Sequence, residues 1–158
     1  MTPNESTIIK FYTAFANGDA NEMRICYHPN VKFRDPAFGL LSGNEVCQMW
    51  AMLIKRSKGS LKIEFSEVEA NEHMGSARWI ASYRFSKTNR NVVNSIAAKF
   101  HFQDGLIIKH TDDFDIWKWA KQALGIKGLL LGWTGFMQKK IQEQARMSLK
   151  VYCDGNKI

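Results

Sequence analysis

Asp35, His110 and Asp112 are the residues of this chain whose types and positions suit acid and base chemistry. Each continues the apolar side of an alternating run. Asp35 follows Val31 and Phe33, while His110 and Asp112 follow Leu106 and Ile108 and precede Phe114. Alternate residues of a strand share a face, so the face that belongs to the core also carries these three ionisable groups. A carboxylate set among aromatic rings loses hydration and its pKa rises, whereas a neighbouring imidazolium favours its charged form. That mixture is what general acid and base catalysis uses, for a gain of about 10² to 10⁴ in rate. An aromatic pocket with a few polar groups serves a ligand binder equally well. The rings expected to line it are Tyr12, Phe15, Phe33, Phe38, Trp50, Trp79, Tyr83, Phe100 and Phe114.

Each ionisable group also has a purely structural reading. Asp35 precedes Pro36 and can accept hydrogen bonds from backbone amides in a turn. His110 can be a satisfied core or rim histidine. Asp112, Asp113 and Asp115 all precede Trp117, and Asp115 is the best placed to cap the helix that follows. The five tryptophans, 50, 79, 117, 119 and 133, are of a type more often found in cores and interfaces than in ligand platforms.

Other chemistries lack their motifs. His28, His73, His101 and His110 show no metal-ligand spacing, and Cys26, Cys47 and Cys153 form no CxxC pair, so neither a metal site nor a disulfide framework is expected. No glycine-rich phosphate loop and no GxSxG elbow occurs. The proton chemistry proposed for the three ionisable groups requires no cofactor.

The elements that must position these groups follow from periodicity. Ile8, Phe11, Tyr12 and Phe15 recur at helical spacing behind cap candidates Asn4 and Ser6. Asp19 can cap a second helix carrying Met23, Cys26 and Tyr27. A strand begins near Val31, and a loop with Gly39 and Gly43 leads to a third helix capped by Asn44. Residues 61–70, 76–87, 92–103 and 106–115 then read as four strands joined by short turns, an antiparallel meander with helices on one face. From Ile116 to Val151 the chain is helical in composition, although glycines 125, 128, 132 and 135 weaken its first half.

A length of 158 residues with 45% hydrophobic and 23% charged residues fits one globular domain. Its body is expected over residues 1–123, with a basic helical extension of the same domain over 124–158. The net charge of +7 is unevenly spread. Up to Asp115 there are 14 Lys and Arg against 13 Asp and Glu, and beyond it 8 against 2. A nearly neutral body argues against nucleic-acid binding. The polar start carries no secretory leader pattern, and the most apolar stretch, Leu124 to Met137, is too interrupted for a membrane span, so a cytoplasmic location is expected. The glycines and thin apolar stripe of the extension favour a lid over the pocket or dimer packing rather than contact with a membrane.

Three stretches carry a family resemblance: residues 11–19 (FYTAFANGD), Val31-Lys32-Phe33-Arg34-Asp35-Pro36 with Gly43 following, and Gly105-Leu106-Ile107-Ile108-Lys109-His110 with Asp112. Over roughly residues 4–120 the chain resembles the SnoaL-like polyketide cyclases of the nuclear transport factor 2-like superfamily. The resemblance implies a cone-shaped, curved antiparallel sheet with the N-terminal helices packed on its concave face around a pocket. It also implies a homodimer paired through the open sheet. Asp35 falls where the related ketosteroid isomerases keep their proton-shuttling carboxylate, and Asp112 or Asp115 falls near the acid/base Asp of the cyclases. The isomerases' oxyanion donors are missing, because Phe11 and Ala97 occupy the matching positions by count. The Arg-x-Asp of limonene epoxide hydrolases is absent as well. The resemblance therefore implies a cofactor-free isomerase, cyclase or lyase acting on a small apolar or carbonyl-containing molecule, or a non-catalytic ligand-binding or scaffold protein of the same fold.

Overall fold

The computed structural model describes residues 1–155, so the last three residues of the C-terminal extension lie outside the described residues. Helix α1 (Pro3–Ala16) opens on a capping box in which Thr2 and Glu5 satisfy each other's backbone amides, with Pro3 in the first turn. Thr2 therefore takes the cap expected at Asn4 or Ser6. The Asn4 side chain instead donates to the carbonyls of Asn71 and Glu72 and ties the helix to the sheet. Asp19 caps α2 (Ala20–Ile25) by accepting from the Glu22 amide, as expected.

Strand β1 (Tyr27–Asp35) starts four residues before the alternation becomes visible, and Tyr27 belongs to it rather than to the second helix. A register shift between Tyr27 and Lys32 breaks the period of two, which hides the start of the strand from a pattern reading. The loop expected around Gly39 contains a short strand, β2 (Gly39–Ser42), paired antiparallel with β1. Gly43, at φ 59°, precedes α3 (Asn44–Arg56) without a side-chain cap, so Asn44 is its first residue and not its cap. Strands β3 (Lys62–Ala70), β4 (Met74–Phe85), β5 (Arg90–Gln103) and β6 (Leu106–Asp113) form the antiparallel meander, and the curved six-stranded sheet runs β2-β1-β6-β5-β4-β3. β1 lies parallel to β6. The core joins Ile8, Phe11, Phe15, Met49 and Trp50 of the helices to Phe33, Trp79, Ile96 and Phe100 of the sheet.

Beyond the sheet come α4 (Ile116–Leu124), α5 (Ile126–Leu131) and α6 (Gly135–Gly155). Asp115 caps α4, accepting from the Lys118 amide at 3.0 Å. Two glycines of this region, Gly128 and Gly132, serve close packing. A Cβ on Gly128 would overlap the carbonyl of Ala120, so α5 can fold back on α4 only with glycine there. Helix α6 returns over α3, buries Leu149, and is held by Arg146, whose Nη1 donates to the carbonyls of Phe38 at 2.9 Å and Leu40 at 3.0 Å. No helix among the described residues is long and apolar enough to cross a membrane.

Candidate functional site

The parallel pairing of β1 and β6 sets Phe33 beside His110 and Arg34 beside Thr111. One step further, Asp35 and Asp112 stand at matching ends of neighbouring strands, on the face that turns inward. Two sequence-distant carboxylates are thereby brought together at the edge of the core. Across β6, Asp112 faces Ala98 of β5, so the inward residues of β5 are the even-numbered ones. Ala97, matched by count to an acid position, lies on the outer face, and its inward neighbours Ile96 and Ala98 are equally unable to donate a hydrogen bond.

Behind Asp112 runs a chain of buried polar groups. Trp50 Nε1 donates to Tyr27 Oη at 2.8 Å, Tyr27 Oη lies 2.8 Å from His110 Nδ1, and His110 Nε2 lies 2.9 Å from Asp112 Oδ1. Trp79 Nε1 donates to the same carboxylate oxygen at 3.3 Å. Trp50 donates to the Tyr27 oxygen, and when the Tyr27 hydroxyl donates to Nδ1 the imidazole presents an Nε2 hydrogen to Asp112. His110 is wholly buried, with its ring 4.5 Å from that of Phe100 and stacked 6.0 Å from that of Trp50. Burial raises the Tyr27 hydroxyl well above its ordinary pKa, which keeps it a neutral donor.

Asp112 opens from this chain into a cavity of about 450 Å³. Asp35 shares the wall with it, together with Phe15, Phe38, Trp50, Trp79, Tyr83 and Phe114. His110 stays behind the wall and reaches the cavity only through Asp112. Tyr12, Phe33 and Phe100 are wholly buried in the core and do not line the cavity, because their positions on α1, β1 and β5 lie deeper between helix and sheet. A broader groove of about 780 Å³ passes Lys58, Lys62 and Asn91, but no carboxylate or imidazole lines it. The candidate chemistry therefore belongs to the smaller, apolar cavity.

The two carboxylates occupy different environments. Burial pushes the Asp35 carboxyl from its ordinary 3.8 up to about 7, opposed by the Phe38 amide, assisted by the negative charge of Asp112 and opposed again by the Ala37 amide. Those amides donate to Asp35 Oδ1 at 2.6 and 2.9 Å, so the turn role of Asp35 and its place in the cavity wall coexist. Asp112 instead accepts from a tryptophan and an imidazole. Nearby, Trp119 Nε1 donates to Tyr83 Oη at 2.8 Å, and burial raises the Tyr83 hydroxyl above its usual range.

Sequence reasoning assigned no site role to Tyr27 or Trp119 and gave no residue of the extension a place in the wall. The structure puts Lys127, Met137, Lys140, Ile141, Gln144 and Ser148 at the cavity, so α5 and α6 close one side. The bulge in β1 removed the signal that would have aligned Tyr27 with Phe33, whereas the apolar stripe of α6 was visible without its destination. Among the described residues no group of three His, Cys, Asp or Glu side chains converges as a metal ion would need.

A SnoaL-like domain family model matches residues 8–110 of the chain. Among solved structures the chain is similar to Bal32a from a soil-derived mobile gene cassette, with a TM-score of 0.68 at 17% identity, covering 77% of this chain and 96% of that one. It is also similar to a candidate polyketide cyclase from Xanthomonas campestris pv. campestris, with a TM-score of 0.62 at 18% identity over 77% and 96% of the two chains. TerC, co-crystallised with polyporic acid, aligns with a TM-score of 0.62 at 16% identity over 72% and 92%. At these identities the likeness is one of fold. No curated protein matches in sequence.

Proposed function

The chain belongs to the SnoaL-like family, and we propose that it is a cofactor-free enzyme of the isomerase, cyclase or lyase type acting on a small hydrophobic carbonyl compound. One observation supports this reading: two carboxylates share an apolar cavity wall, and burial raises the pKa of one of them, Asp35, to about 7. Asp112 is the base. Both of its hydrogen bonds fall on Oδ1, from His110 and Trp79, which leaves Oδ2 to take a proton from the carbon next to the carbonyl. As that C–H bond breaks, its electron pair moves into the carbon framework, and the carbonyl oxygen receives the proton that Asp35 holds below about pH 7. The resulting enol regains a proton elsewhere, closes a ring or expels a leaving group, according to the substrate. His110 is a positioning residue that fixes the Asp112 carboxylate through its Nε2 hydrogen.

Asp35 takes the place of the oxyanion donors that the chain lacks at Phe11 and Ala97. The same reading makes the described part of the extension, residues 124–155, a lid of the same domain and the protein cytoplasmic. It also makes the protein a homodimer, paired through the outer sheet face where Met74, Ile80 and Val93 are exposed. The test begins with mass-spectrometric identification of a co-purifying molecule and a turnover screen of hydrophobic carbonyl compounds. Asp112→Asn and Asp35→Asn are each expected to lower turnover about a hundredfold or more while ligand affinity stays within about tenfold. A second reading, a non-catalytic binder, is favoured by the 2.6 Å bond that holds Asp35 in its turn. Tight ligand binding with no turnover in either the native protein or the variants would establish that reading and remove the first.

A further inference from the structure

The segment that folds back beside the cavity mouth is unusually oily for an exposed surface. Ile126 is 76% exposed, Leu130 63%, Trp133 63% and Phe136 70%, with Leu129 and Leu131 exposed beside them. Six large apolar side chains within 11 residues cannot be reached by the core, because Gly128 and Gly132 are the positions at which this segment packs on α4. An apolar patch of this kind marks a contact surface.

Its charge identifies the partner. From Ile116 to Gln142 the chain contains Lys118, Lys121, Lys127, Lys139 and Lys140 and no Asp or Glu. The lysines are interleaved with the rings. Lys140 Nζ lies 5.4 Å over the ring of Phe136, and Lys121 Nζ lies 4.3 Å over that of Trp117, whose Nε1 donates to the Leu129 carbonyl. Apolar side chains with a tryptophan at their edge, interleaved along the chain with lysines and with acids only at its borders, Asp115 and Glu143, match the interface of an anionic bilayer, where acyl chains take the apolar groups and headgroups take the lysines. A second copy of the chain would bring the same lysines against themselves.

Contrary to the expectation drawn from the glycines and thin stripe of this segment, we propose that α5, with Trp133 and Phe136, docks the protein on an anionic lipid surface. This contact does not depend on the chemistry of the cavity. Leu124, Lys127, Met137 and Lys140 of the same region line the cavity, so docking places its mouth at the bilayer, where an apolar ligand is concentrated.

Flotation of the full chain with vesicles of phosphatidylcholine, alone or mixed with phosphatidylglycerol, tests the contact. Binding to the mixed vesicles is expected, about tenfold or more weaker on phosphatidylcholine alone or at high salt. A Trp133→Ser, Phe136→Ser double variant is expected to lose at least about tenfold in affinity with an unchanged circular dichroism spectrum. Should that variant not fold, quenching of tryptophan fluorescence by brominated acyl chains gives an independent readout, strong in the native chain and diminished in Trp133→Phe. Failure to float with anionic vesicles, binding unaltered by the variants, or a dimer in sedimentation that these substitutions dissociate would each overturn the proposal.

Discussion

His110 Nε2 stands 2.9 Å from Asp112 Oδ1, two residues on along the same strand, and both side chains are nearly sealed from bulk water. Side chains two apart on a strand share a face, and here that proximity is held rigid by the groups behind it. Tyr27 and Trp50 occupy the far side of the imidazole. Trp79 holds the carboxylate from β4. The five residues come from β1, α3, β4 and β6, so the network also fastens helix to sheet.

Tyr27→Phe removes the hydroxyl between Trp50 and His110 and leaves two buried nitrogen groups without partners. The expected cost is about 1 to 3 kcal/mol, read from urea denaturation midpoints. An unchanged midpoint would show that the hydroxyl contributes nothing as a bridge.

Asp35 makes stability fall with rising pH over a defined window. Its native carboxyl titrates near 7 and its unfolded one near 3.8, so between these values the native state keeps a proton that the unfolded chain has released. Folding is then opposed by ionisation: the contribution of Asp35 is most favourable below about 3.8, declines as pH rises, and levels off above about 7. Asp35→Asn keeps the acceptor for the Ala37 and Phe38 amides but loses this slope. Relative to the native chain it is expected to gain about 4 kcal/mol in stability between pH 4 and pH 8, measured by denaturation at both values. Parallel pH profiles of the two proteins would contradict the assignment.

Tyr12 Oη is buried without a hydrogen-bond partner, while its ring packs on Phe65 and Trp79. Burial raises its pKa well above the ordinary range, so the hydroxyl is neutral and gains nothing from charge. Tyr12→Phe is expected to leave thermal stability unchanged or to raise it by about 1 kcal/mol. A clear loss of stability would mean that the hydroxyl has a partner, such as a bound water or guest.

Gly128→Ala tests the packing of the helical side of the cavity. Its Cβ would meet the Ala120 carbonyl, so α5 must shift or the variant must lose about 1 to 3 kcal/mol by calorimetry. Gly59→Ala, with no atom within 4 Å but φ at 80°, separates the two causes, since any loss there reflects backbone conformation alone.

The alternation of Val31-Phe33-Asp35 determined, from sequence alone, the inward direction of Asp35, because a period of two leaves a side chain no other face once its neighbours are buried. In β6 the expected run Leu106-Ile108-His110-Asp112 holds only for His110 and Asp112: a register shift between Ile107 and Lys109 breaks the period and buries Ile107 in place of Leu106 and Ile108. The four-strand meander and the Asp115 cap were legible because turns and caps are local. What tertiary structure decided is which groups meet. The parallel register of β1 on β6 sets Asp35 beside Asp112, and a bulge conceals Tyr27 until that pairing forms. The fold-back at Gly128 turns a glycine-weakened helix into one flank of a cavity and leaves its leucines outside. Contacts between residues some 80 positions apart depend on strand order and helix docking, which no local pattern encodes.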